Sequence, residues 1–322
     1  MNNISRLVFC ALLALTCCVG FSTKIHAQSA QVFVSAPNGN DSGSCTSDAP
    51  CRTVNFALTQ VQANGQVLIV DSGSYDSSVS ITKDVTIAAA PGVAAVFSNA
   101  VNFGSIITFN YPASFCTSSG ECRILTLRNL IFDGQGVTQD ALRPAGIRLL
   151  VENCTFTRLR FGVFVNGGGT YQFKNCVFQS LETGLYFAPN NSTRTVLAVV
   201  EDSRFASLTG IGIDLYTGPQ GNNTLRATVR DSLFNRANVG LRAISNTGGS
   251  IQADVERCEI TNNATGLLST FAASTIRVSN STIVGNTTGV SAANGGTLLS
   301  RLNNTVEGNT TNGNFTGAFA AK

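Results

Sequence analysis

The sequence predicts an all-β solenoid: a parallel β-helix of about ten stacked coils, with a short capping helix at its N-terminal end. Three observations carry this. A short pattern recurs about every two dozen residues. The recurring units are rich in β-branched and aromatic residues, with Asn and Gly between them. One column of charges alternates in sign from unit to unit, as stacked coils would require.

Residues 1–27 read as a secretory leader. Arg6 supplies the positive start, and Leu7 to Phe21 is a 15-residue apolar run, short for a membrane span. Ala27 ends a cleavage site before Gln28. Cys17 and Cys18 raise lipidation as the alternative, against which Thr16 is a poor match. No later segment is apolar enough to span a membrane. The expectation is therefore a secreted, periplasmic or extracellular protein, monomeric by default.

Residues 28–322 read as one domain: a cap over 28–66, coils over 67–310 and a tail over 311–322. Thr53 to Ala63 is a short amphipathic helix with Val54, Ala57, Leu58 and Val61 on one face, stopped by Asn64 and Gly65. Residues 66–75, 79–81 and 85–87 then read as strands. Covering the open end of an apolar interior with a helix removes an exposed sheet edge. The tail, rich in Asn, Thr and Gly, is the weaker cap.

The repeat is clearest from residue 127. Its copies are LRNLIF (127–132), VENCTF (151–156), FKNCVF (173–178), VEDSRF (200–205), VRDSLF (229–234), VERCEI (255–260) and VSNSTI (278–283), with a decayed NNTV at 303–306. Their spacings run from 22 to 29 residues. A Gly and a short alternating strand follow each copy. One coil cannot bury its own apolar face, whereas stacked coils share an interior. Phe132, Phe156, Phe178, Phe205, Phe234, Ile260, Ile283 and Val306 form one inward column. Cys154, Cys176, Ser203, Ser232, Cys258 and Ser281 form a second, of small residues. The Asn and Asp residues sit at a sharp bend, where a left-handed backbone costs them least. Arg128, Glu152, Lys174, Glu201, Arg230 and Glu256 alternate in sign and set the register.

Composition limits the partners. The chain carries 12% charged residues and a net charge of +3, about +1 without Arg6 and Lys24. Neither nucleic acid nor an anionic membrane would be drawn to it strongly. Its one histidine, His26, lies in the leader. Without it no imidazole remains for a triad, a general base or a metal site. Seven of the ten cysteines follow the leader. Cys45–Cys51 and Cys116–Cys122 each bracket a short polar loop and are expected to pair in an oxidising compartment. Cys154, Cys176 and Cys258 read as small core residues.

The run from Cys45 to Tyr75, followed by the Asn-small-x-Phe coils, resembles the right-handed parallel β-helix proteins of the pectin-lyase-like superfamily, and most of all exported bacterial repeat proteins of undefined activity. The resemblance covers nearly all of 31–310. It implies that a substrate would lie along the strand after each Gly. Read outward with period two, that strand presents Arg148, Phe164, Tyr186, Asp214, Arg242, Leu268 and Ser291, and the preceding turn adds Arg158, Arg160 and Glu182. Phe164 and Tyr186 could stack on sugars, and Arg148, Arg158, Arg160 and Arg242 could grip uronate carboxylates. The competing reading is that the aromatics cover neighbouring strands and that Asp214 pairs with Arg242.

Catalysis is less well provided for. The lyases of the superfamily imply a Ca²⁺ site of several carboxylates, and Ca²⁺ takes six to eight oxygens; here the column offers Asp214, with Glu182 a coil away. Glycoside hydrolysis needs two carboxylates about 5–9.5 Å apart. Asp133, Gly134 and Asp140, beside Arg143 in an enlarged turn, read equally as a remnant site or as turn chemistry. The expected function is a non-catalytic exported protein that binds a polysaccharide or envelope glycan, with no cofactor. The alternatives are a Ca²⁺-dependent pectate- or alginate-type lyase in which Asp214 holds the metal and an arginine, Arg242 being the candidate, is the base, and a structural or adhesive surface rod.

Overall fold

Six of the seven clear copies of the repeat turn at an Asn or Asp. Asn129, Asn153, Asn175, Asp202, Asp231 and Asn280 all have φ between 48° and 58°, the left-handed region that short polar side chains tolerate best. Arg257 holds the same place with φ 49° and pairs with Asp231 of the preceding coil at 2.8 Å. The side-chain amides bond from coil to coil: Asn153 Nδ2 donates to Asn129 Oδ1 (3.1 Å) and Asn175 Nδ2 to Asn153 Oδ1 (2.8 Å). A second left-handed corner follows each short strand, at Gln135, Arg158, Ser180, Ser207, Arg236 and Asn262. The sequence pattern did not reveal that one.

Two sharp corners and one longer connection give each coil three strands, and like strands stack in parallel. The computed structural model describes residues 28–75, 78–98, 104–109, 123–136, 139–189, 193–218, 222–246 and 248–320. Within them lie three parallel sheets of 12, 10 and 9 strands, here called first, second and third in the order each coil visits them. The nine third-sheet strands are separated by eight full turns of chain, slightly fewer coils than the ten expected. The leader over 1–27 and the Cys116–Cys122 pair lie outside the described residues.

The predicted columns are present. Phe132 aligns with Phe156, Phe156 with Phe178, Phe178 with Phe205 and Phe205 with Phe234. Their rings stack with centroids 4.7–5.0 Å apart. Ile260 and Ile283 continue the file, and Phe97 and Tyr75 extend it the other way. Beside it the small residues are buried, and Ser203, Ser232 and Ser281 accept hydrogen bonds from the backbone N–H of the coil before (3.1–3.2 Å). Glu152 aligns with both Arg128 and Lys174, and Glu201 with Lys174 and Arg230. Arg128–Glu152 (2.6 Å) and Arg230–Glu201 close as ion pairs.

The glycine after each repeat has a packing reason. A Cβ on Gly184 would lie 2.6 Å from the Gly212 carbonyl oxygen and 2.7 Å from the Phe205 ring. The backbone there runs against the aromatic file and leaves no room for a side chain.

The helix at the N-terminal end is shorter than the sequence predicts. The helix is Val54–Gln60, N-capped by the Thr53 hydroxyl, and the strand Val61–Ile69 begins before Asn64. Val61 pairs with Ser29 of the strand Ser29–Val34, which opens the first sheet, and this overrides helix propensity at that point. Cys45 and Cys51 form the expected disulfide, while Cys154, Cys176 and Cys258 are buried free thiols. At the other end Gly317–Ala318 pairs with the Thr297–Ser300 strand, and Phe315 packs on the core. Among the described residues no helix is long and apolar enough to cross a membrane.

Candidate functional site

The outward face of the third sheet brings most of the predicted residues together. Phe164 aligns with Tyr186, Tyr186 with Asp214 and Asp214 with Arg242 on consecutive coils. Leu268 and Ser291 follow in the same file.

Arg148 does not belong to this file. It lies in the first-sheet strand Ile147–Glu152, aligned with Ile124 and Thr170. The third-sheet strand of its coil is Asp140–Leu142, paired with Phe161–Val165. Gly146 and the alternating strand after it imitate the pattern of the third-sheet strands, whereas the true strand carries Ala141 where the others carry Gly. The residue next to Leu142 is Arg143, and its guanidinium lies 4.8 Å above the Phe164 ring.

Asp140 anchors the upper end. Its side chain is fully buried and held by two arginines. Arg143 Nη2 donates to Oδ2 at 2.5 Å, and Arg160 Nε and Nη2 reach Oδ1 at 3.2 and 3.1 Å. The Arg160 guanidinium also lies 4.6 Å above the Phe161 ring. Phe161, Phe164 and Tyr186 form one cluster, with Phe164 and Tyr186 stacked at 5.0 Å. The rings therefore stack along the solenoid axis. One face of Phe164 meets Tyr186, arginine caps lie over Phe161 and Phe164, and all three rings are half-buried.

Asp214 anchors the lower end. Arg242 holds it in a two-pronged pair, Nε to Oδ1 at 2.9 Å and Nη2 to Oδ2 at 2.7 Å. The Asp214 side chain is only 5% exposed. Burial pushes its carboxyl above the ordinary range, although Arg242 opposes the shift. Burial and the nearby Asp214 charge likewise raise the Tyr186 phenol.

Beside the face, at the second left-handed corner, runs an open groove of about 390 Å³. Arg158, Arg160, Glu182, Ser180, Ser207 and Thr209 line it. Arg158 is tied to Asp133, its Nε 2.9 Å from Oδ1; burial alone would raise that carboxyl, but Arg158 holds it below its usual range. Glu182 has no ion-pair partner among the described residues.

The Ca²⁺ set implied by the lyase alternative does not fit this geometry. Both Asp214 oxygens are bonded to Arg242, so a cation would have to displace a guanidinium. Among the described residues no three His, Cys, Asp or Glu side chains are placed to hold a metal. Arg242, the candidate base, is the same group that neutralises Asp214. Sequence reasoning missed Asp140 as an anchor, together with Phe161 and Arg143 as parts of the face; the i, i+3 spacing of Asp140 and Arg143 was the available signal.

Comparison with known proteins agrees with the fold. The family model described as right handed beta helix region matches residues 148–321. Among solved structures, a rhamnogalacturonan lyase superposes with a TM-score of 0.50 at 13% identity, covering 84% of this chain and 75% of that one. The pectate lyase Pel9A superposes with a TM-score of 0.50 at 17% identity, covering 93% of this chain and 80% of that one. No curated protein matches the sequence. At these identities the likeness concerns the fold alone.

Proposed function

The chain belongs to the right-handed β-helix family, and from that premise we propose that it is a non-catalytic binder of polysaccharide or cell-envelope glycan, acting through the outward face of its third sheet. The observation that carries this reading is the pre-ordered strip from Asp140 to Arg242. Two partly exposed arginines are fixed on a buried carboxylate and stacked on phenyl rings, so the N–H donors that Asp140 does not use are held in place at little entropic cost. A groove lined by hydroxyls runs beside them. Aromatic and arginine side chains dominate recognition surfaces for the same reason.

The chemistry supports holding a glycan more than cutting one. Asp133, Asp140 and Asp214 are each bonded to arginine, which leaves Glu182 as the carboxylate of the strip without an ion pair. A hydrolytic pair needs two carboxylates facing the bond. The disulfide Cys45–Cys51 is compatible with a secreted protein.

The test is a glycan array probed with the wild-type chain and with Phe164→Ala and Tyr186→Ala. The expected result is at least one glycan hit whose affinity falls about tenfold in each variant, roughly 1.4 kcal/mol. Hits that neither substitution weakens would place binding elsewhere and end this assignment. Incubation with polyuronates should release no unsaturated, ultraviolet-absorbing product, with or without Ca²⁺.

A further inference from the structure

The charges on the strip cancel within the chain. Arg143, Arg158, Arg160 and Arg242 face Asp133, Asp140, Asp214 and Glu182, four of each sign. Three of the carboxylates are already engaged by the four guanidiniums. A carboxylated ligand would compete with Asp140 and Asp214 for them, against desolvated geometry that is already complete. It would also meet the negative Glu182 at the groove wall. With no net local charge, nothing steers a polyanion toward the face.

The groups left over need no charge on their ligand. Arg143 and Arg160, with side chains 41% and 27% exposed, keep N–H groups that Asp140 does not use. Ser180, Ser207 and Thr209 add hydroxyls along the groove. All of these can serve uncharged oxygen acceptors such as hydroxyl, ether and ester carbonyl oxygens, which, unlike a carboxylate, meet no repulsion from Glu182 at the groove wall.

We infer that the strip takes a neutral, oxygen-rich glycan, one whose acidic groups are absent or esterified, in preference to a polyuronate. This rests on the glycan-binding reading and specifies its ligand class.

The test measures binding of the full chain to a polyuronate and to the same polymer with its carboxyls methyl-esterified, each at low and high salt. The esterified polymer should bind about tenfold more tightly, with an affinity that changes less than about twofold with salt, because the ligand carries no charge to be screened. Glu182→Gln, which removes the groove's unpaired negative charge, should strengthen polyuronate binding several-fold, a gain that a purely structural Glu182 would not produce. Tighter, steeply salt-dependent binding of the free polyuronate would overturn the inference and leave the glycan reading standing. Failure of both polymers and of every neutral glycan on the array would overturn both.

Discussion

Asp214 is nearly buried, and its charge is tolerable only because Arg242 meets both oxygens. Removing one partner of such a pair strands the other. Arg242→Met should therefore cost about 3–5 kcal/mol, read as a lowered midpoint in denaturant. The pH dependence has a definite sign. Burial already raises the Asp214 carboxyl, and losing the arginine raises it further. A carboxyl whose folded pKa lies above its unfolded value stabilises the fold relatively more below the unfolded pKa, and that contribution is lost as pH rises through the folded pKa. The deficit of Arg242→Met against wild type should shrink as pH falls toward about 4; a deficit independent of pH would show that the missing charge partner is not its cause. The pairing was legible in the sequence as one of two readings, because Asp214 and Arg242 share a column on adjacent coils. Arg148 was misplaced because Gly146 imitates the glycine that marks the third-sheet strands while Ala141 hides the true one. Asp140 was left between a remnant site and turn chemistry because only its i, i+3 neighbour Arg143 is local, whereas Arg160 meets it after the coil closes.

At the level of single elements, the third-sheet strands depend on a residue without a side chain. Gly184→Ala would press a methyl into the Gly212 carbonyl and the Phe205 ring, both rigid. Overpacking of this kind costs about 1–3 kcal/mol or more. Gly104→Ala has nothing within 4 Å and an ordinary φ, so it should be neutral or stabilising by up to about 1 kcal/mol. Equal midpoints for the two variants would contradict the packing argument. Phe205→Ala, which removes one ring from between two stacked neighbours, should cost about 3–5 kcal/mol. These elements were legible because most coils repeat the same local requirement: an Asn or Asp at the first corner, a small residue, a large apolar side chain, then glycine. The second corner was not, since Arg158, Ser180 and Arg236 adopt left-handed backbone without belonging to the types that favour it. The helix end was overextended because Val61 to Ala63 can continue a helix in isolation, whereas in the structure Val61 already pairs with Ser29 and opens the strand Val61–Ile69.

For the whole molecule, stability should follow the logic of a one-dimensional stack, in which each coil is held by its two neighbours and the end coils by one. The C-terminal end is the thinner one: its closing strand Gly317–Ala318 has two residues, and Val306, the last member of the aromatic file, is only partly buried. Three buried free thiols among the described residues report on this from inside. Cys154, Cys176 and Cys258 are 1–3% exposed, and burial raises all three thiols, Cys176 and Cys258 to about 12. A thiol so buried and so weakly ionised should not react with a disulfide reagent in the native protein. It reacts only when its coil opens. Pulse labelling across a denaturant series, read peptide by peptide, should therefore modify Cys258 at lower denaturant than Cys154 and Cys176, because Cys258 lies closer to the thin end. Simultaneous labelling of all three at one midpoint would mean that the coils unfold as a single unit, with the aromatic file coupling the ends more tightly than nearest-neighbour contact does. Labelling of Cys154 first would reverse the order and place the weak end at the helix cap.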